Sequence, residues 1–459
     1  MNRKPETASL LLPLGWKTGK LAPSIERSVV TFIADLHIHS RYSRAVSKDM
    51  VPESLHRWAQ LKGVTVVGTG DFTHPAWFAE LQDKLEPAEP GLYRLKPELA
   101  ARVDRTVPES CRAEVRFLLT AEISSIYKRG GRTRKVHNLI LAPSFTAVAT
   151  LNDKLARMGN LQSDGRPILG VDSEELLRLV LEVVPEALFI PAHAWTPHFS
   201  VFGANSGFDS LEECFGDLTP HIKVLETGLS SDPAMNWRLS RLDGLTLVSN
   251  SDAHSPSKLG REANVLATPL AFHEIVGALV SGDPSQFLGT IEFFPEEGKY
   301  HYDGHRMCGV RLTPEETRRH QHLCPACGKP VTVGVMHRVE TLADRSAGHR
   351  PPRALAYWRL VPLSELLAEI YGSGATTKIV SDSYHQLLAT FGSELSILLN
   401  VPIEELVAHG DPLLATAIHR MRQGQVDVAP GYDGEYGRVR LLSPEDRQPV
   451  SPQMTLFDL

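Results

Sequence analysis

Only five cysteines occur in 459 residues, and three of them fall between positions 308 and 327. An odd, clustered set fits a reducing compartment with a metal site better than a disulfide framework. Nowhere do apolar residues run for the roughly 18 positions that a membrane span needs. The opening MNRKPETASLLLPLG also lacks the apolar core and small-residue cleavage site of a secretory leader. A cytoplasmic protein with no membrane partner is expected. Charge bias is missing too: 48 Lys and Arg against 54 Asp and Glu leave a formal charge of −6. That argues against indiscriminate coating of nucleic acid, while leaving any single cleft free to be basic. YGSGATTK lacks the GxxxxGK[ST] spacing of a phosphate loop, and no other segment supplies it, which argues against an ATP-driven motor.

What is present is a series of candidate ligands, each in or just after an apolar run. VTFIADLHIHS places His37 and His39 two apart, so that at strand spacing both imidazoles leave the backbone on one side. VTVVGTGD ends on Asp71, VRFLLTAE on Glu122 and ALFIPAH on His193. KVHNLIL carries His137, IKVLETG carries Glu226, and TLVSNSDAH ends on Asp252 and His254. In a parallel α/β barrel the carboxyl ends of successive strands converge on one mouth, so seven such ends offer one cluster. Mixed imidazole and carboxylate ligation points to two or three divalent ions, zinc, manganese or magnesium, held close together. Helical segments alternate with these runs. PESLHRWAQLK is the clearest, with Pro52 at its start and Gly63 as its stop. PAWFAELQDKL, SEELLRLVLEVV, DPAMNWRLSRL and FHEIVGALV repeat the pattern. One interruption, ISSIYKRGGRTRKVHNLIL, reads as two strands around Gly130-Gly131. Its tip carries Lys128, Arg129, Arg132, Arg134 and Lys135, either a phosphate clamp or a solvated basic turn.

His37-x-His39, Asp71, Glu122, His137, His193 and Asp252-x-His254 resemble the ligand series of the PHP (polymerase and histidinol phosphatase) phosphoesterase superfamily. The resemblance implies a distorted (βα)7 barrel over residues 1–298, with metal ligands at His37, His39, Asp71, Glu122, His137, His193, Asp252 and His254. Glu122 is the favoured bridging carboxylate, and Glu122 and Asp252 are the catalytic pair. Glu226 is left outside the ligand set. Two departures weaken a third metal site: Phe72 stands where many members have histidine, and Arg44 stands near a frequent carboxylate. His74 is the candidate substitute.

A second unit begins near Lys299. His305-x-x-Cys308 and Cys324-x-x-Cys327 lie fifteen residues apart, each followed by glycine. Two such knuckles hold one structural zinc tetrahedrally, with His301, His320 and His322 as competing ligands. From Lys299 to Arg359 eleven Lys or Arg face five Asp or Glu, which suggests a polyanion. Amphipathic helices follow, and APGYDGEYGRVRL supplies a glycine-rich turn and a strand. In the tail SPQMTLFDL, Gln453, Leu456 and Phe457 look like the peptide with which bacterial DNA-processing enzymes bind the sliding clamp.

DLHIHSRYSRAVSKDM, GTGDF, PAHAWTP, SNSDAHSP, LGRE, the knuckles, VPLSELLAEI, FGSEL and VPIEEL together resemble the endonuclease Q family of PHP-type DNA repair nucleases, although the first knuckle is His-x-x-Cys here. The resemblance implies a metal-dependent endodeoxyribonuclease that cuts damaged DNA 5′ to uracil, hypoxanthine, xanthine or an abasic site, leaving 3′-hydroxyl and 5′-phosphate ends. The implied organisation is a phosphoesterase domain (1–298), a zinc module (299–345), a helical DNA-binding region (346–447) and a clamp-binding tail (448–459). Trp195 and Phe199, just past His193, are candidates for a base pocket. Two other classes fit fewer features: a small-molecule phosphoesterase, and a non-catalytic clamp-tethered DNA adaptor.

Overall fold

The computed structural model describes residues 30–443 and 445–447, so Gln453, Leu456 and Phe457 lie outside the described residues. Seven strands close a barrel: β1 (Val30–Asp35), β2 (Val66–Gly68), β3 (Arg116–Arg129), β4 (Arg132–Ala142), β5 (Leu188–Pro191), β6 (Val224–Glu226) and β7 (Thr246–Val248). Pairing is parallel for β1–β2, β2–β3 and β6–β7, while β4 lies antiparallel between β3 and β5. Closure comes from a parallel bridge between Ile38 and Ala253 and from the Ala194 amide donating to the Glu226 carbonyl at 2.9 Å. Six strands therefore share one direction, and β4 runs against them. This is the hairpin read from the sequence around Gly130-Gly131: at φ +60° and +73° the two glycines turn β3 directly back on itself.

Alternate strand residues fill the barrel. Phe32, Ala34, Val66, Leu118, Leu139, Leu141, Leu188, Ile190, Val224 and Val248 pack together, and Phe272, Ile275 and Leu279 of the helix Phe272–Ser281 join them. Neighbours of opposite parity, such as Val67, Phe117, Leu119 and Leu225, belong to the outer core shared with the helices. The pleat sets the chemistry as well. Glu122 follows Leu118 in phase, His137 precedes Leu139 in phase, and Glu226 follows Val224 in phase, so all three point inward above the apolar layer.

The helix Pro52–Lys62 ends where Gly63 takes φ +86°. DPAMNWRLSRL, expected as one helix, gives only the turns Pro233–Asn236 and Ser240–Leu242. Beyond the barrel the sheet continues outward through β8 (Ala263–Thr268), β9 (Phe287–Glu292) and β10 (Ala356–Arg359). β10 comes from beyond the segment that carries His305, Cys308, Cys324 and Cys327 and pairs in parallel with β9, stitching the later region to the barrel. The glycine-rich loop returns in the other direction. The Tyr302 amide donates to the Gly431 carbonyl at 2.9 Å and the Arg306 amide to Asp433 Oδ2 at 2.7 Å.

Beneath the mouth lie two buried acids, Glu262 and Glu292. Burial pushes Glu292 up to about 8, and burial together with the Glu292 charge raises Glu262 well above the usual range. A folded-state value above the unfolded one means that this stability is complete below about pH 4.5 and lost as pH rises through about 8. Thermal melts from pH 5 to 9 should show that decline, a loss of about 4–5 kcal/mol at most for a shift of this size. Glu292→Gln should flatten it and stabilise the protein at alkaline pH.

Candidate active site

The mouth is built in two layers. In the outer layer the Glu226 carboxylate faces His37 Nδ1 at 3.0 and 3.1 Å, and Asp71 Oδ1 faces His39 Nδ1 at 3.0 Å. A carboxylate only accepts, so each Nδ1 carries a proton, and each Nε2 is aimed inward at Glu122 and Asp252; against the effect of burial, the surrounding carboxylates raise both imidazoles well above their ordinary value. Asp71 Oδ2 is occupied by the Ser40 amide (2.6 Å), Ser40 Oγ (2.7 Å) and Ser43 Oγ (2.8 Å). Asp71, expected as a ligand, is thus placed behind His39. Glu226, left out of the ligand set, orients His37 in the same way. It also accepts from the His193 amide at 2.8 Å and from Asn250 Nδ2 at 2.8 Å.

In the inner layer Glu122 is the hub. Its Oε1 lies 2.7 Å from His137 Nδ1, 2.9 Å from His193 Nε2 and 3.6 Å from His37 Nε2, and its Oε2 lies 3.3 Å from His39 Nε2. Asp252 Oδ1 sits 3.1 Å from His39 Nε2 and 3.9 Å from His37 Nε2. Ligand atoms of three triads come within 4.8 Å of one another: His37–His39–Glu122, Glu122–His137–His193 and His39–Asp252–His254. The donor set passes a direct test of fit. His37 Nε2, His39 Nε2 and Asp252 Oδ1 are buried without a hydrogen-bond partner, and they face one another. Such atoms are costly unless a cation takes them up.

Burial alone would raise Glu122, but His137, His37 and Arg166 hold it well below the usual carboxylate range. Asp252 is held low in the same way, burial being overcome by His39 and His37. His137 is pushed down to about 4, chiefly by burial. The backbone bends to make this cluster. Asp71, His193, Phe199 and Asp252 all adopt positive φ, at +50°, +28°, +62° and +47°. Each non-glycine residue held there costs about 1–3 kcal/mol, and such strain concentrates at functional sites.

His137 reaches the cluster from the middle of the reversed strand β4, opposite Ser124. Phe72 is buried in the core and supplies no ligand. Arg44 points outward to Asp164 Oδ2 at 3.3 Å. His74 caps a helix, Nδ1 accepting from the Trp77 amide at 3.4 Å, while its ring stacks on Tyr42. Of the two base-pocket candidates, Trp195 is 1% exposed and donates from Nε1 to Asn236 Oδ1 at 2.8 Å, so it offers no face to the cleft. Phe199 lines that cleft of about 450 Å³, its ring 4.7 Å from the His137 ring and 5.2 Å from Lys135 Nζ. In the basic hairpin Arg129 is tied to Asp172 and Glu174, and Arg134 to the Gly207 carbonyl, whereas Lys128 and Arg132 remain exposed.

His305, Cys308, Cys324 and Cys327 bring ligand atoms within 4.8 Å of one another. Three thiols and an imidazole closing on one point suit a tetrahedral zinc with no open position. The basic surplus of this segment is partly used internally: Arg338 pairs with Asp209, Arg345 with Asp243 and Arg359 with Asp232.

The Asp71 arrangement carries a prediction. Asp71→Asn keeps a side chain that tolerates positive φ, but turns an amide NH2 toward three donors or withdraws the anion from His39. Cation affinity measured by competition with a chelator should fall about 10–100-fold.

A family model described as the MJ0043 C-terminal domain matches residues 362–425. The protein MJ0043 of Methanocaldococcus jannaschii is 32% identical over 258 residues, covering 54% of this chain and 31% of that protein. YqxK of Bacillus subtilis is 30% identical over 420 residues, covering 89% of this chain and 98% of that protein. The chain thus spans about a third of the first relative and nearly all of the second. Among solved structures, the lesion-specific endonuclease PfuEndoQ of Pyrococcus furiosus superposes with a TM-score of 0.78 at 32% identity, covering 91% of this chain and 98% of that one. An endonuclease Q complex with a 27-mer duplex bearing an abasic lesion at its active site gives 0.77 at 32% identity, with 92% and 98% covered. Identity at this level across nearly the whole of both chains, on one shared architecture, means that the protein belongs to the endonuclease Q family.

Proposed function

We propose that this chain is a DNA repair endonuclease that hydrolyses the phosphodiester bond immediately 5′ to a deaminated base (uracil, hypoxanthine or xanthine) or an abasic site. The observation that carries this reading is the inward-facing ligand cluster, with three buried atoms lacking partners, in a chain so similar to an endonuclease bound to lesion-bearing duplex. His37, His39, Glu122 and Asp252 would hold one divalent cation, and Glu122, His137 and His193 a second. His254 stands beside Asp252. Cations bound there, zinc, manganese or magnesium, would supply Lewis-acid polarisation of the phosphate and a nucleophile at neutral pH.

The protein's own side chains do the rest. Asp71 and Glu226 fix the two imidazoles through Nδ1, and Glu122 offers one carboxylate to both corners. In the reaction a water oxygen bonds to phosphorus as the P–O3′ bond breaks. The water proton goes to solvent and the leaving 3′ oxygen gains one, giving 3′-hydroxyl and 5′-phosphate ends. Phe199, which lies over His137 at the cleft wall, would stack against an extruded nucleotide. The zinc knuckles would hold the 299–345 module together, the helices of 346–447 would contribute to DNA binding, and Gln453, Leu456 and Phe457 would tether the enzyme to the sliding clamp in the cytoplasm.

The test is gel analysis of duplexes carrying one defined lesion, with manganese or magnesium and with chelator. A single nick 5′ to the lesion, abolished by chelator, is expected. Intact lesion duplex alongside rapid turnover of an aryl phosphate would instead mark a small-molecule phosphoesterase.

A further inference from the structure

Beside the ligand cluster stands a cation that no metal-ligand pattern accounts for. Asp164 Oδ1 accepts the Arg166 amide at 3.1 Å and the Arg44 amide at 3.3 Å. The Gly165 amide donates to the Tyr42 carbonyl at 3.0 Å, and Thr73 Oγ1 donates to the Gly165 carbonyl at 3.2 Å. A Cβ on Gly165 would lie 2.3 Å from Asp71 Oδ2 and 2.4 Å from Ser43 Oγ. This loop is therefore pressed onto the carboxylate that orients His39, with no room for any residue but glycine. The next side chain is thereby driven into the mouth. Arg166 is 25% exposed, lines the cleft with Ser124, Phe199 and Asp252, and donates from Nη1 to Glu122 Oε2 at 3.2 Å.

Arg44, the other arginine in the lining, is 76% exposed and spent on Asp164. Glu122 cannot satisfy every claim made on it. Its Oε1 already meets His137 and His193, and its Oε2 is shared between His39 and Arg166. Once that carboxylate serves divalent cations, the guanidinium is left beside positive charge in a half-enclosed cleft. An entering phosphate is then the anion of matching shape, because the planar fork presents parallel N–H donors to two of its oxygens.

We propose that Arg166 touches the substrate, gripping the non-bridging oxygens of the phosphate that is cut and stabilising the charge that builds there in the transition state. It keeps its proton throughout and only donates hydrogen bonds. This inference rests on the phosphodiesterase reading above, and its test separates the two.

Arg166→Gln and Arg166→Lys are compared with the full chain loaded with manganese. Calorimetry with inorganic phosphate should show affinity lowered about 10–100-fold in Arg166→Gln, the scale of a lost hydrogen bond between charged groups. Bound manganese per chain should stay unchanged. The kcat for lesion nicking should fall on the order of 10²–10³-fold with a much smaller change in KM. Added guanidinium should partly restore Arg166→Ala. Phosphate affinity equal to wild type in Arg166→Gln, or manganese lost in step with phosphate, overturns the proposal. A wild-type protein that binds phosphate through Arg166 yet leaves lesion duplex whole would sink the endonuclease reading and leave this one standing.

Discussion

Glu122→Gln is expected to strip both cation positions and to lower nicking by at least about 10⁴-fold, the scale seen when one member of a catalytic unit is removed. The reason lies in how many groups lean on one carboxylate. Three imidazole nitrogens and a guanidinium lie within 3.3 Å of its two oxygens. Glutamine keeps the shape but replaces one oxygen with a donor, so two of those groups meet an N–H where they need an anion. Metal content by mass spectrometry and single-turnover nicking check this together. If Glu122→Gln retains both cations at wild-type affinity, the carboxylate is not shared between them.

Asp252→Asn should be nearly as damaging to chemistry, by about 10³–10⁴-fold, and far gentler on binding. Asparagine tolerates the φ of +47° at this position, so the strand end keeps its course. What disappears is a charge whose Oδ1 sits 3.1 Å from His39 Nε2 at the edge of the cleft. Lesion-duplex affinity by gel shift should stay within a few-fold of wild type while cutting falls by that factor. Equal loss of both would mean that Asp252 supports the fold of the mouth instead.

The ligand series was readable because each residue closes or follows an apolar run, and the barrel brings those ends together. The hairpin of β3 and β4 was legible as well, from Gly130-Gly131 between two strand-like runs, and because parity along a strand is the same in either direction His137 faces inward although it lies mid-strand. Two features were hidden for physical reasons. Asp71 and Glu226 share residue type and placement with the proposed ligands, and only the side of the imidazole that they meet separates orienting from ligating. Arg166 follows no apolar run and belongs to no spacing rule. Its position comes from Gly165 packing on Asp71, a contact between segments 94 positions apart. Trp195 misled because proximity in sequence to His193 says nothing of which way an indole turns after a residue at φ +28°.

The stitch made by β10 has a consequence for dissecting the molecule. Excising 30–298 would bare the full hydrogen-bonding margin of β9 and remove Arg359, whose guanidinium neutralises Asp232 inside the protein. An open strand margin recruits other chains, and a lone interior anion favours unfolding. The barrel produced by itself should therefore precipitate or self-associate, so mapping activities onto fragments would mistake a folding failure for a missing function. Point substitutions in the full-length chain are the sound route.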